Sequence, residues 1–321
     1  MNINSIQKKP RSRLHSIKIF APATVANVSC GFDILGFAVD APGDEVILRL
    51  TDTPGVKILE ITGDNGKLPL QAAKNTVGAS IISMLKFLGS NQGVEIILHK
   101  KMPLGSGLGS SAASSAAGAV GLNHLLNTQL TKQQLVTFAM EGERVACGTA
   151  HADNVAPAIF GGFTLVRSYN PLDIIPIHTP PELYCSIIHP NIEVSTKAAR
   201  EILSPSVKLA DAVVQWGNVA GLIAGLMSNN YELISRSMQD VIIEPVRQQL
   251  IPGFSMIKQA ALSNGALGAG ISGSGPSIFA LSRNIKTAEI VAQAMQHAYN
   301  QTHLNSEIYV SKINHNGVTI L

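Results

Sequence analysis

Apolar and polar residues alternate with period two over Ser16–Phe20, which predicts an opening strand. Ala21–Asn27 reads as a loop, and Gly31–Val39 as a turn into a second strand. Asp44–Leu50 and Val56–Ile61 predict two more strands with a Pro-Gly break between them. From Asn75 to Leu88 the period lengthens. Val77, Ile81, Ile82, Leu85 and Leu88 lie on one helical face. Val94–His99 returns to strand spacing. Thr131 and Gln134 have the spacing of a capping box and predict a helix running to about Cys147. Strands follow at Phe160–Arg167 and Tyr184–His189, and helices around Thr196–Leu203, Ala210–Met227, Glu232–Ile243 and Gly253–Asn264. A strand at Ser277–Ser282, a helix at Lys286–Tyr299 and a strand at Ser306–Ile313 complete the pattern. Helices and strands mix without steady alternation, which favours α+β over a doubly wound sheet.

At 321 residues the chain exceeds what one core usually serves, so two domains are expected. A boundary near Tyr169-Asn170-Pro171 divides 16–170 from 171–321, with 1–15 as an N-terminal tail expected to be disordered. Only 14% of residues are charged and the net charge is +3, too small and scattered for a nucleic-acid partner. The basic cluster Lys8, Lys9, Arg11 and Arg13 reads as a solvated tail or, since the first acidic residue is Asp33, as a transit peptide. No unbroken apolar run has the ~18–20 residues of a membrane span. Cys30, Cys147 and Cys185 share no disulfide or metal spacing and read as reduced thiols of a cytoplasmic protein.

The richest stretch is Pro103-Leu104-Gly105-Ser106-Gly107-Leu108-Gly109-Ser110-Ser111, flowing into Ala112-Ala113 and a run of tiny side chains. A glycine-rich turn opening a helix gathers backbone N–H groups and the positive end of a helix dipole, which holds an anion such as a nucleotide phosphate. No Gly-Lys-Ser/Thr follows, so it is not a Walker loop, and the glycine spacing is not a dinucleotide fingerprint. A tight packing turn explains the glycines well and the serines less well. Glu143 lies on the helix expected beside this loop. Alone it reads as a surface charge paired with Arg144. Beside the loop, one carboxylate and one serine hydroxyl would suffice for a divalent cation on nucleotide phosphates. His151, Asp153 and Asn154 crowd into an apolar segment as either a cap and turn or a pocket wall, and Asn27 and Asp33 flank Gly31 likewise. Arg200 and Arg247, each close to apolar segments, read either as solvated arginines or as a cationic fork of the kind a zwitterion's carboxylate needs.

Ala21–Asn27 with Gly31-Phe32-Asp33 resembles the first motif of the homoserine kinases, within the GHMP group of small-molecule kinases. Pro103–Ala113 is similar to that group's phosphate loop, and Gly270–Pro276 to the third motif that buttresses it. His151–Pro157, Val194–Arg200 and Glu244–Arg247 resemble segments specific to homoserine kinases. The likeness runs from about Ile17 to Ser282.

This resemblance implies a two-domain GHMP kinase fold: a ribosomal-S5-domain-2-like N-terminal domain and a ferredoxin-like α+β C-terminal domain. It implies ATP-dependent phosphorylation of the L-homoserine hydroxyl with Mg²⁺, toward threonine, and a possible homodimer. By matching position, Glu143 and Ser111 hold the metal, with Ser110 as the alternative serine. Pro103 to Ala113 bind ATP phosphates, and Asn75 and Lys100 lie towards the nucleoside. Asp33 and His151 bound the amino end of homoserine. Arg200 and Arg247 clamp its carboxylate. Asn27, Asn154 and Thr196 place the reacting groups. Related kinases of mevalonate and galactose carry an aspartate near the position of Asn154. An amide cannot accept the hydroxyl proton, so Asn154 is expected to orient and Asp153 to be structural, with one of the two facing away from the pocket. The alternatives are another GHMP kinase, of sugar or mevalonate type, and a non-catalytic ligand sensor on the same fold.

Overall fold

The computed structural model describes residues 15–321. The basic cluster and most of the expected tail lie outside them.

The first half runs β1 (Ser16–Ala26), β2 (Leu35–Thr51), β3 (Val56–Thr62), α1 (Thr76–Phe87), β4 (Gly93–His99), α2 (Ser110–Leu126), α3 (Lys132–Cys147), α4 (Val155–Phe160), β5 (Phe163–Tyr169) and β6 (Leu172–Ile177). The second runs β7 (Tyr184–Pro190), α5 (Thr196–Glu201), α6 (Leu209–Met227), α7 (Tyr231–Ser237), α8 (Glu244–Arg247), α9 (Phe254–Ser263), β8 (Gly268–Ile271), β9 (Ile278–Ser282), α10 (Ile285–Asn300), β10 (Ser306–Lys312) and β11 (Thr319–Ile320).

Among the described residues the strands form two sheets. The first has the order β11-β1-β2-β4-β3, with β5 also pairing β2 and β6 pairing β5; only β3 and β4 run parallel. The second has the order β10-β7-β9-β8, antiparallel throughout, which is the 4-1-3-2 order of a ferredoxin-like sheet. A separate core of Ile188, Phe254, Ile257, Ile278, Val291 and Tyr299 lies beneath it.

The tiny side chains of α2 have a packing reason. A Cβ on Gly121 would stand 2.3 Å from Ile19 Cδ1 and 2.7 Å from Leu48 Cδ1, so the helix lies directly on β1 and β2. On its other side, a Cβ on Gly142 of α3 would stand 2.0 Å from Ser115 Oγ. The expected Thr131–Gln134 capping box opens α3.

Several elements differ from the sequence pattern. Ala21–Ala26 is strand rather than loop: its residues are buried on both faces, which erases the alternation, and the β1–β2 register shifts between Pro22 and Thr24. β2 is one strand through the Pro-Gly at 42–43. β6 was not foreseen, and the boundary expected at 170/171 falls in the β5–β6 hairpin, inside the first sheet. β11 returns to pair with β1. Asp211, Gln215 and Asn218 interrupt α6 in sequence, yet as a whole it is long and apolar enough to cross a membrane by length and composition. Here its buried Gln215 donates to Cys30 C=O (2.8 Å) and Asp240 (3.0 Å), while Leu209, Val213, Trp216 and Met227 are exposed.

Candidate active site

A cleft of about 590 Å³ lies between the two halves and takes walls from both. One end is made of the glycine loop. Gly105, Gly107 and Gly109 hold φ of 66°, 76° and 67°, a region costly for other residues. Space is equally demanding at Gly107, where a Cβ would stand 2.4 Å from Ser272 C=O and 2.7 Å from Gly275 C=O. The loop's carbonyls are tied from behind. Ser272 Oγ donates to Gly107 C=O (2.7 Å), Ser277 N–H to Ser106 C=O (3.2 Å) and Thr24 N–H to Leu108 C=O (3.0 Å). The cleft therefore meets the start of α2 and the loop residues Leu104–Gly107 and Gly109–Ser111. Pro103, Leu108, Ala112 and Ala113 are not part of the cleft wall; the last three are fully buried in the core.

Below the loop lies a buried ion pair. Lys100 Nζ donates to Asp44 Oδ2, to Ser110 C=O (2.8 Å) and to Ser114 Oγ (2.9 Å). Asp44 also accepts from Ser110 Oγ (3.1 Å) and from the N–H groups of Lys101 (2.8 Å) and Met102 (3.1 Å). Burial pulls the Lys100 pKa down while Asp44 opposes it. Lys100 thus reaches under the first turn of α2. Asn75 caps α1 through Val77 N–H (3.3 Å) and donates to Pro69 C=O (3.0 Å) at the cleft wall.

Ser111 Oγ donates to Glu143 Oε2 at 3.2 Å. Glu143 is buried, and Arg144, its sequence neighbour, pairs instead with Glu141. Burial raises the Glu143 pKa to about 7, partly opposed by Ser111 and Lys100. A buried carboxylate beside a hydroxyl fits a hard divalent cation that draws its other ligands from phosphate and water. Ser110, the alternative serine, turns to Asp44. Among the described residues no group of three His, Cys, Asp or Glu forms a fuller metal cage.

The opposite end is lined by charged side chains. Asp33 carries φ of 62° and receives Arg200 in a two-point pair at 2.9 and 2.7 Å. His151 Nδ1 stands 3.9 Å from Asp33 Oδ1, and its buried Nε2 has no hydrogen-bond partner. Burial lowers the His151 pKa, with Asp33 opposing, which favours the neutral ring. Arg247 is buried and donates to Ala199 C=O (2.9 Å) and Gly273 C=O (3.1 Å). Burial and Arg200 lower its pKa to about 10. The Phe32 ring lies near both guanidiniums, with centroid distances of 5.1 Å to Arg200 and 4.9 Å to Arg247.

Between the two ends, Asn154 Oδ1 accepts from Thr24 Oγ1 at 2.8 Å. Asn27 donates to Gly273 C=O (2.7 Å) and accepts from Asp33 N–H (3.1 Å), joining the first motif to the third. Thr196 Oγ1 lies 3.3 Å from Ser274 Oγ. Asp153 and Asn154 both line the cleft, whereas one was expected to face away. They stand at the head of α4, where the chain is turning and neighbours do not alternate as on a strand. Burial, then the charges of Asp33 and Glu143, raises Asp153 to about 7.

Family models and known proteins place the chain in a family. Residues 75–162 match the GHMP kinases N terminal domain and residues 220–301 the GHMP kinases C terminal domain. The chain is 52% identical to the homoserine kinase of Chloroherpeton thalassium over 94% of its length and 98% of that protein's. It is 50% identical to that of Chlorobaculum tepidum over 94% and 97%. The chain belongs to the homoserine kinase family of GHMP kinases. A solved homoserine kinase from Cytophaga hutchinsonii is 58% identical, with a TM-score of 0.95 over 98% of this chain and 99% of that one. The L. major mevalonate kinase shares the fold at 17% identity, with a TM-score of 0.70 over 92% of this chain and 96% of that one.

Within this homoserine kinase family member, three residues that line or support the site carry no role in the sequence reading. Asp44 and Phe32 look like an ordinary strand residue and a core aromatic. Tyr169 read as part of a domain boundary. The one available signal was Asp44, a carboxylate in a strand of a chain with few charges.

Proposed function

We propose that this chain transfers the γ-phosphoryl group of ATP to the side-chain hydroxyl of L-homoserine, giving O-phospho-L-homoserine for threonine synthesis. The observation that carries the reading is the pairing of opposite ends in one cleft: a backbone anion cradle with Ser111 and Glu143 beside it, and Asp33, His151, Arg200 and Arg247 facing it. Acceptors of sugar or mevalonate type have no ammonium group to match Asp33 and His151. A ligand sensor would have no need of the Ser111–Glu143 pair.

In this reading the loop N–H groups and the N-terminus of α2 bind phosphate oxygens, and the Asp44–Lys100 pair holds that turn in place. Ser111 and Glu143 hold Mg²⁺, which when bound neutralises charge on the phosphates. Arg200 and Arg247 take the homoserine carboxylate, and Asp33 with His151 takes its ammonium group. An acceptor without the carboxylate leaves the buried Arg247 unmatched, and one without the ammonium group forgoes its pairing with Asp33, which is how the site selects a zwitterion. Asn154, Asn27 and Thr196 place the hydroxyl and the transferring group. A loose phosphoryl-transfer transition state places little demand on early deprotonation, so alignment and charge stabilisation carry the rate. Asn154 orients, Asp153 is structural, and the proton leaves through the γ-phosphate or water.

The exposed apolar face of α6 supports a homodimer, checked by light scattering of wild type and Trp216→Glu. The activity itself is tested by detecting O-phosphohomoserine from purified protein, homoserine and MgATP, with mevalonate and galactose as comparison acceptors. Turnover of a comparison acceptor in preference to homoserine refutes the assignment.

A further inference from the structure

Tyr169, at the end of β5, is 40% exposed, yet its hydroxyl reaches the back of the amino-acid pocket. Its Oη donates to Asp33 C=O at 2.9 Å and accepts from Ala152 N–H at 3.3 Å. These two peptides belong to the loops that carry Asp33 and His151, far apart in sequence. Neither bond belongs to the β5 ladder. β5 is held independently by pairing with β2 at Leu35–Phe37 and with β6.

The bridged peptides are otherwise demanding. Asp33 sits at φ of 62°, an uncommon conformation for a residue with a side chain. Asn27 Oδ1 accepts its N–H, and Tyr169 donates to its C=O, so both sides of the residue are pinned. Ala152 C=O accepts from Ala156 N–H at 2.7 Å and starts α4. The Ala152 N–H therefore joins Tyr169 to the segment that carries His151, Asp153 and Asn154. Burial, with the charges of Asp153 and Asp33, holds the phenol pKa well above its ordinary value, so the donor stays protonated across the working pH range.

We propose that the Tyr169 hydroxyl is a positioning group for the amino-acid pocket: by bridging Asp33 C=O and Ala152 N–H it sets the spacing between Asp33 and His151. That spacing fixes the grip on the ammonium group of the substrate. The proposal rests on the homoserine reading of this pocket. Tyr169 itself is not part of the cleft wall, so it acts through the two loops and not by contact with substrate.

The test is Tyr169→Phe, which keeps the ring and its packing. The homoserine KM should rise about tenfold through loss of the two hydrogen bonds. The ATP KM should stay within about twofold, because both bonds of the hydroxyl go to the Asp33 and Ala152 peptides rather than to the phosphate loop, and the melting temperature should fall by only a few degrees. para-Aminophenylalanine at 169 keeps a donor for Asp33 C=O and should recover most of the loss. An unchanged homoserine KM in Tyr169→Phe overturns the proposal. So does an equal rise in both KM values, or a para-amino variant no better than phenylalanine. A wild-type protein that does not phosphorylate homoserine would instead overturn the reading of the pocket.

Discussion

The two ends of the cleft are built from different materials. The phosphate end is mainly backbone: glycines at positive φ, carbonyls tied from behind, and the first turn of a helix. The amino-acid end is side chain: one carboxylate, two guanidiniums, an imidazole and a phenyl ring, drawn from both halves of the molecule. A backbone cradle is fixed by the fold and accepts any phosphate chain of the right shape. A charged pocket has to match its ligand group by group. Generality belongs to the first and specificity to the second, and substitutions should separate them.

The largest effect is expected at Glu143→Gln, which removes the carboxylate beside Ser111. The rate should fall by about 10²–10³-fold, as for loss of a central electrostatic group, with homoserine binding kept. The same variant has a stability signature. The Glu143 pKa is raised from its ordinary value near 4.5 to about 7, so the folded state binds more protons than the unfolded state across that interval. Stability of the ligand-free protein therefore declines as pH rises from about 4.5 to 7. Asp153, raised to about 7 in the same way, contributes a parallel decline, so Glu143→Gln should lessen the slope of a melting-temperature series without abolishing it, and an unchanged slope would show that Glu143 is not among the groups responsible.

Gly107→Ala comes next. It forces a side chain into φ of 76° and toward Ser272 C=O, displacing the loop. The kcat/KM for ATP should drop about 10²-fold, the scale of a displacement near 1 Å, with little change in homoserine affinity measured by calorimetry. At the other end, Arg247→Ala should raise the homoserine KM by about 10–100-fold and leave the ATP KM within about threefold. Arg200→Ala should follow the same pattern more weakly, since Arg200 is the more exposed of the two. Equal effects on both substrates would erase the division between the ends. The smallest change is expected for Asp153→Asn, with kcat within about tenfold of wild type. A loss of about 10²–10⁴-fold in a folded variant would make Asp153 the base.

The same division decided what was readable in the sequence. Glycines and small residues at fixed spacing announce a loop because only they fit it, so Gly105–Ser111 stood out. The α3 capping box and α1 were legible because capping and helical periodicity are local. The Asp44–Lys100 pair spans 56 positions, and the Tyr169–Asp33 bond 136. No local pattern records such contacts. The family likeness supplied Asp33, His151, Arg200 and Arg247 as a set, but not that Asp33 and Arg200 grip each other. β1 beyond Phe20, β6 and β11 escaped notice for a related cause: small buried residues, a proline and a two-residue strand carry no period.

Ser272 Oγ reaches across 165 positions to hold Gly107 C=O. The curvature of the glycine turn is thus moulded from outside by the other lobe. Transplanting residues 103–113 into an unrelated scaffold would carry the composition but not the mould. An engineer who wants the anion cradle must move the Gly270–Pro276 turn along with it.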